Sequence, residues 1–154
     1  MKALRSLQST LAVVLLLTAT SAFPDIRNPQ ASDGILIAPQ QQGTVELVSL
    51  PGKGKFVSAR ITKQGLTNAL VVILTIDERD VVKVNMDSLL NLGLTETNPY
   101  GVVLLNGKDG VVDDIKTMTI GFPTPLVYKR NLTLSVNVLD VNLLQVTARV
   151  IHGK

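Results

Sequence analysis

The chain has no cysteine, no tryptophan and a single histidine, His152. The absence of cysteine excludes disulfides, thiolate metal sites and thiol catalysis. Zinc sites that rely on several histidines are excluded by count. A Ser-His-Asp site would have to use His152, which lies close to the carboxyl end. Because terminal residues are usually poorly ordered, we expect His152 in a surface tail.

Aromatic residues make up only 3% of the chain. That is too few for the stacking platforms that bind sugars or single-stranded nucleic acid. The formal charge is +3, from 15 basic and 12 acidic residues, but Lys2 and Arg5 lie in a segment that we expect to be removed. Their loss leaves 13 basic against 12 acidic residues. This balance predicts no nucleic-acid partner.

No apolar run is long enough for a membrane-spanning helix. The apolar stretch Leu11–Leu17 follows a basic start and precedes small residues, with Thr20 at −3 and Ala22 at −1 of a cleavage site. A spanning helix needs about 20 apolar residues, far more than this stretch provides. Residues 1–22 are therefore predicted to be a cleaved signal peptide. The mature protein is predicted to be secreted or periplasmic, without a membrane span.

After the signal, the chain divides into an arm and one domain. Residues 23–34 are polar and contain Pro24 and Pro29, which predicts a flexible N-terminal arm. Residues 35–154 contain short β-branched segments separated by turn residues, and we predict one strand in each segment: Ile35–Ala38, Thr44–Leu50, Phe56–Lys63, Ala69–Ile76, Val81–Met86, Tyr100–Leu105, Asp113–Ile120, Leu132–Val138 and Leu144–Val150. Asp87 is the predicted N-cap of one helical turn that reaches Gly93.

This pattern predicts an all-β domain, an antiparallel β-sandwich of jelly-roll or immunoglobulin-like topology, with a small barrel as the alternative. Ala69–Ile76 is apolar on both faces, so we expect a central strand that is covered on both sides. It should form a hairpin with Val81–Met86. The last two strands alternate strictly, and we predict that they form a second hairpin.

The candidate sites are few. Asp109 and Asp113 could provide oxygen ligands for calcium in a loop, although the EF-hand spacing is not met. Asn131 begins an Asn-Leu-Thr sequon, which is meaningful only in a eukaryotic host. The pairs Lys53/Lys55 and Lys129/Arg130 are interpreted as solvated turn residues, the first pair in a hairpin turn. No catalytic residue and no cofactor other than calcium is predicted.

These observations favour an exported, non-catalytic module that acts through its surface, in a structural, adhesive or self-assembling role. An edge strand or the N-terminal arm would pair with another protein or with a second copy. Two alternatives remain open. One is a hydrolase that uses two facing carboxylates, and the other is a carrier with a cavity for an apolar ligand.

Overall fold

The computed structural model describes residues 26–91, 101–106 and 114–154. The elements follow in the order β1 (Gln30–Ile37), β2 (Gly43–Pro51), β3 (Gly54–Gly65), β4 (Leu70–Ile76), β5 (Arg79–Asn85), α1 (Met86–Asn91), β6 (Gly101–Asn106), β7 (Ile115–Tyr128), β8 (Asn131–Val138) and β9 (Leu143–Gly153). The predicted signal peptide lies outside these residues. Within them, no helix is long and apolar enough to cross a membrane.

Two antiparallel sheets pack face to face, so the predicted β-sandwich is confirmed. One sheet has the order β1-β9-β3-β7-β6 and the other the order β2-β8-β4-β5. Strand β1 pairs with β9, β2 with β8, β3 with β7 and β4 with β5. This nested pairing is a long antiparallel hairpin wrapped around itself, which is the jelly-roll topology. Strand β6 adds an edge beyond β7.

The core lies between the sheets and consists of alternate residues from both. In β4 and β8 every second side chain is buried, and in β4 these include Leu70, Val72 and Leu74. Period-two alternation of β-branched and aliphatic residues places one set of side chains on the inner face. The prediction that β4 is covered on both faces is wrong: Val71 and Ile73 on the outer face are only half-buried.

The predicted hairpin of the last two strands is wrong as well. Strand β8 lies between β2 and β4, whereas β9 lies between β1 and β3 in the other sheet. The link 139–142 therefore crosses from one sheet to the other. Both strands direct an apolar face toward the same core, β8 from one sheet and β9 from the other. Their alternation of apolar and polar residues is therefore as regular as in two strands that pair in a hairpin. The predicted β4–β5 hairpin is confirmed.

Three local features differ from the prediction. Strand β1 begins at Gln30, so residues 30–34 belong to the sheet and not to the arm. The helix is capped by Asn85, whose Oδ1 accepts the Asp87 N–H at 3.0 Å. Residues 122–125 lie inside β7, but they bulge out of register opposite Val57. The bulge lets the ring of Phe122 pack edge-on against Phe56, with 6.2 Å between centroids.

Candidate functional site

One end of the sandwich forms a basic cleft of about 540 Å³, where the β2–β3 and β7–β8 turns meet the end of β9. Among the described residues its lining provides four lysines and no acidic side chain: Pro51, Gly52, Lys53, Gly54, Lys55, Val127, Tyr128, Lys129 and Lys154. We call this the basic cleft. The predicted hairpin turn at Lys53 is instead a link between the two sheets, because β2 and β3 belong to different sheets.

Backbone hydrogen bonds fix the walls of the basic cleft. The Gly52 N–H donates to the Arg130 carbonyl at 2.6 Å, which joins the β2–β3 and β7–β8 turns. Lys154 and Arg27 exchange two backbone hydrogen bonds of 3.0 Å, which hold the end of β9 against the N-terminal segment. A smaller cleft of about 220 Å³ adjoins it and shares Lys53, Tyr128 and Lys154.

A second surface lies on the outer face of the five-stranded sheet, where β1, β9 and β3 form a groove of about 520 Å³. Asp33 and Arg149 form a two-pronged ion pair there, with distances of 2.7 and 3.0 Å. The hydrogen bond from Arg149 is the main cause of the lowered pKa of Asp33. Both side chains are exposed, so this pair contributes little to stability.

Beside this groove, β1 exposes two large apolar side chains. Ile35 is 59% exposed and Ile37 is 67% exposed, and both point to the outer face. Leu144, also exposed, has its carbonyl bonded to the Ala38 N–H at 2.9 Å. We call Ile35 and Ile37 the β1 patch.

Two lysines are buried beside one carboxylate near the start of β7. The Lys63 ammonium is fully buried and lies 2.6 Å from Asp114 Oδ2 and 2.9 Å from the Gly65 carbonyl. The Lys116 ammonium lies 3.1 Å from Asp114 Oδ1. Burial alone would raise the pKa of Asp114, but the hydrogen bonds and charges of both lysines outweigh it and lower that pKa. The Asp114 carboxylate offsets part of the buried positive charge and links Lys63 of β3 to Lys116 of β7.

The expectation that His152 lies in a surface tail is wrong. His152 is buried in β9, opposite Gln30 of β1 and Phe56 of β3. One ring nitrogen, Nε2, lies 2.9 Å from the Ser32 hydroxyl. Burial lowers the pKa of His152. Of the carboxylates in the described part of the chain, none is hydrogen-bonded to the ring, so these residues do not form a hydrolytic triad.

The sequence-predicted site residues are scattered or lie outside the described residues. Asp109 and Asp113, the calcium candidates, lie outside them. Within the described part of the chain, no group of three His, Cys, Asp or Glu side chains could hold a metal ion. Asn131 is the half-buried first residue of β8, and the sequon remains a prediction.

The carboxylates of the β4–β5 turn are bound to neighbouring groups and do not face each other across a cleft. Asp77 accepts backbone hydrogen bonds, Glu78 pairs with Arg130, and Asp80 accepts a hydrogen bond from Thr75. The three clefts described above have one carboxylate among their lining residues, Asp33. The paired-carboxylate geometry of a glycosidase is not formed there.

Sequence reasoning missed the basic cleft. It identified Lys53/Lys55 and Lys129 as turn residues, which they are, but gave no sign that the two turns are neighbours. Only the jelly-roll topology brings them together. The chain matches no protein-family model, and no curated protein is similar to it.

Proposed function

We propose that this protein is exported and has no catalytic role, and that it self-assembles by pairing the β1 edge of one copy with that of another. The observation that carries the proposal is the position of Ile35 and Ile37: they are exposed, apolar and on an edge strand. The sequence pattern of residues 1–22 supports export.

The backbone of β1 is oriented for strand addition. The Ala38 N–H donates to the carbonyl of Leu144, one step beyond the Ile37–Gln145 pair that ends the β1–β9 register. In an antiparallel ladder, residues that bond to the partner alternate with residues whose backbone groups face away. Ile35 and Ile37 therefore direct their N–H and C=O groups away from β9. An added strand forms hydrogen bonds with outward backbone groups and packs against exposed apolar side chains. Ile35 and Ile37 provide both.

The two edge strands of the four-stranded sheet carry features that discourage pairing. Strand β5 exposes Arg79, Asp80 and Lys83 along its length. Strand β2 has a bulge at Leu47, between Glu46 and Val48. Charged side chains and bulges are common means of protecting an edge. The half of β1 that contains Ile35 and Ile37 has neither.

The partner that we propose is a second copy of this chain. Two β1 strands can pair antiparallel about a two-fold axis, and each copy then contributes the same surface. The combined sheet would have ten strands, and Ile35 and Ile37 of both copies would lie next to one another on one face of it. An extended segment of a different protein would use the same edge, and the experiment below separates the two cases.

Sedimentation velocity over a wide range of protein concentrations tests this proposal. We expect dimers of the wild-type chain, and monomers of the double variant I35K/I37K because it places charge in the paired edge. V127K is the matched control: Val127 is 61% exposed but lies on the basic cleft at the end of β7. This variant should dimerise like the wild type. A monomer at every concentration, or a dimer that persists in I35K/I37K, would overturn the proposal.

A further inference from the structure

Three of the four lysines of the basic cleft differ in their surroundings from several cationic side chains elsewhere in the described part of the chain. Arg149, Arg130, Lys63 and Lys116 each pair with a carboxylate, as described above. Lys53, Lys129 and Lys154 form no ion pair in the described part of the chain. Several positively charged side chains around one cleft create a positive potential there, and such a potential attracts an anion.

The backbone holds these lysines in place before any ligand arrives. Lys53 lies in the turn that the Gly52–Arg130 hydrogen bond joins to the β7–β8 turn. Lys129 follows β7, and its own backbone N–H donates to the Asp77 carboxylate at 2.9 Å. A fixed backbone reduces the entropy that ordering the site would cost on binding.

The floor of the cleft is neutral and largely apolar. Tyr128 is buried, and its hydroxyl lies against Gly54, where a side-chain Cβ would collide with it. Burial raises the pKa of Tyr128, so the phenol stays uncharged at neutral pH. Pro51 and Val127 complete the apolar part of the lining. The cleft therefore offers an apolar floor with ammonium groups around it.

The residue types indicate which anion fits. A planar carboxylate is matched best by the two-pronged guanidinium of arginine, and the lining contains none. Lysine is a compact point charge, and several lysines together suit a compact anion of high charge such as phosphate. The apolar floor adds room for an uncharged part of the same ligand.

We infer that the basic cleft binds a phosphate group, either as a free phosphate compound or as the head group of a lipid. Both sources present the same chemistry to Lys53, Lys129 and Lys154. The two sources differ in their uncharged part: that of a lipid would also contact the apolar floor of the basic cleft. The basic cleft is separate from the surface proposed for self-assembly, because the β1 patch and the basic cleft share no residue.

Titration of the ¹⁵N-labelled I35K/I37K variant, observed through its backbone amide signals, separates this inference from the proposed assembly. Three soluble probes are added in turn: pyrophosphate, dihexanoyl phosphatidic acid and dihexanoyl phosphatidylcholine. We expect signals of residues 52–55 and 128–130 to shift with a phosphate probe, and the shifts to weaken as salt is added. Equal responses to the first two probes indicate a free phosphate compound, and a response to phosphatidic acid alone indicates a lipid head group.

The double substitution K53Q/K129Q should weaken binding by about tenfold, because two charges leave the site. K83Q removes an exposed lysine from β5 and should leave binding unchanged. Both variants change exposed side chains, and unchanged melting temperatures confirm that they fold. The inference is overturned if neither phosphate probe shifts these signals, if phosphatidylcholine binds equally well, or if K53Q/K129Q binds like the parent.

Discussion

The carboxylate of Asp77 accepts a hydrogen bond from the backbone N–H of Arg130, with 2.7 Å between Oδ1 and N. The backbone N–H groups of Lys129 and Asn131 donate to the same carboxylate. The N–H of Asp77 donates in turn to the Asn131 carbonyl at 3.0 Å. One side chain thus joins the β4–β5 turn to the β7–β8 turn, and the hydrogen bonds from Arg130 and then Lys129 are the largest causes of its lowered pKa.

Removing this carboxylate should loosen both turns. We expect D77A to melt below the wild type at neutral pH, with D77N in between because its amide keeps one acceptor oxygen. The pKa of Asp77 is lowered in the folded state, so its contribution is present above the ordinary value of 3.8 and is lost as the pH falls through the lowered pKa. Thermal melts of the wild type and both variants at pH 7 and pH 3 measure the difference in melting temperature, which should be smaller at pH 3. Equal melting temperatures at pH 7 would contradict it.

Glu78 occupies a backbone conformation that favours glycine. Its φ is 70°, and that of Asp77 is 49°, as a type I′ turn requires at both central positions. Both side chains of the Glu78–Arg130 ion pair are largely exposed to solvent, so the pair contributes little to stability. We expect E78G to stabilise the protein by up to about 1 kcal/mol, because the strain is relieved. E78Q removes the charge but keeps the strain, and chemical denaturation should show it unchanged. A loss of stability in E78G would disprove this account.

The sequence predicts where strands lie far better than it predicts which strands are neighbours. Alternation of apolar and polar residues is a local property, and it places the bounds of β8 and β9 within three residues of those observed. Pairing depends on contacts between distant segments. The regular pattern of β8 and β9 is the same whether they pair with each other or face each other across the core.

The same reason explains why the basic cleft was missed. Lys53 and Lys129 are both recognisable as turn residues, and turn composition contains no information about the next turn in space. His152 shows a related error: its position near the carboxyl end suggested a tail, although the alternation that buries Val146, Ala148 and Val150 continues to His152. Extending that pattern by one step would have predicted its burial.

Asp114 provides the negative charge for two buried lysines, so D114N should be strongly destabilising. Lys63 is fully buried and would lose its counter-charge. Breaking a buried ion pair costs several kcal/mol, and we expect about 3 kcal/mol because Asp114 is itself 17% exposed. D80N, which removes an exposed carboxylate 4.0 Å from Lys83, is the control and should cost less than about 0.5 kcal/mol. Chemical denaturation measures both, and similar small losses would contradict the role of Asp114.

Gly34 allows the two sheets to approach each other at the β1–β2 corner. A Cβ at this position would collide with the backbone carbonyl of Leu47, in the bulge of β2. G34A must therefore push β1 away from β2, and we expect a cost of about 1–3 kcal/mol, as for overpacked cores. Denaturant titration measures the loss. An unchanged midpoint would show that the corner opens without cost.

His152 should make stability depend on pH in a range where no other side chain type titrates at its ordinary pKa. It is the only histidine, and burial lowers its pKa below 6.5. The unfolded chain therefore takes up a proton near pH 6.5, while the folded protein resists it. Stability should fall as the pH drops through 6.5 and level off below the lowered pKa, with a slope of at most about 1.4 kcal/mol per pH unit for one proton.

The variant H152N isolates this effect, because asparagine is polar but does not titrate. Denaturant titrations between pH 7.5 and pH 5 should show a clear slope for the wild type and a flatter one for H152N. S32A is the companion variant: it removes the hydroxyl 2.9 Å from Nε2 and keeps the buried ring, so the slope should remain. If the wild type and H152N respond to pH alike, burial of His152 does not control stability in this range.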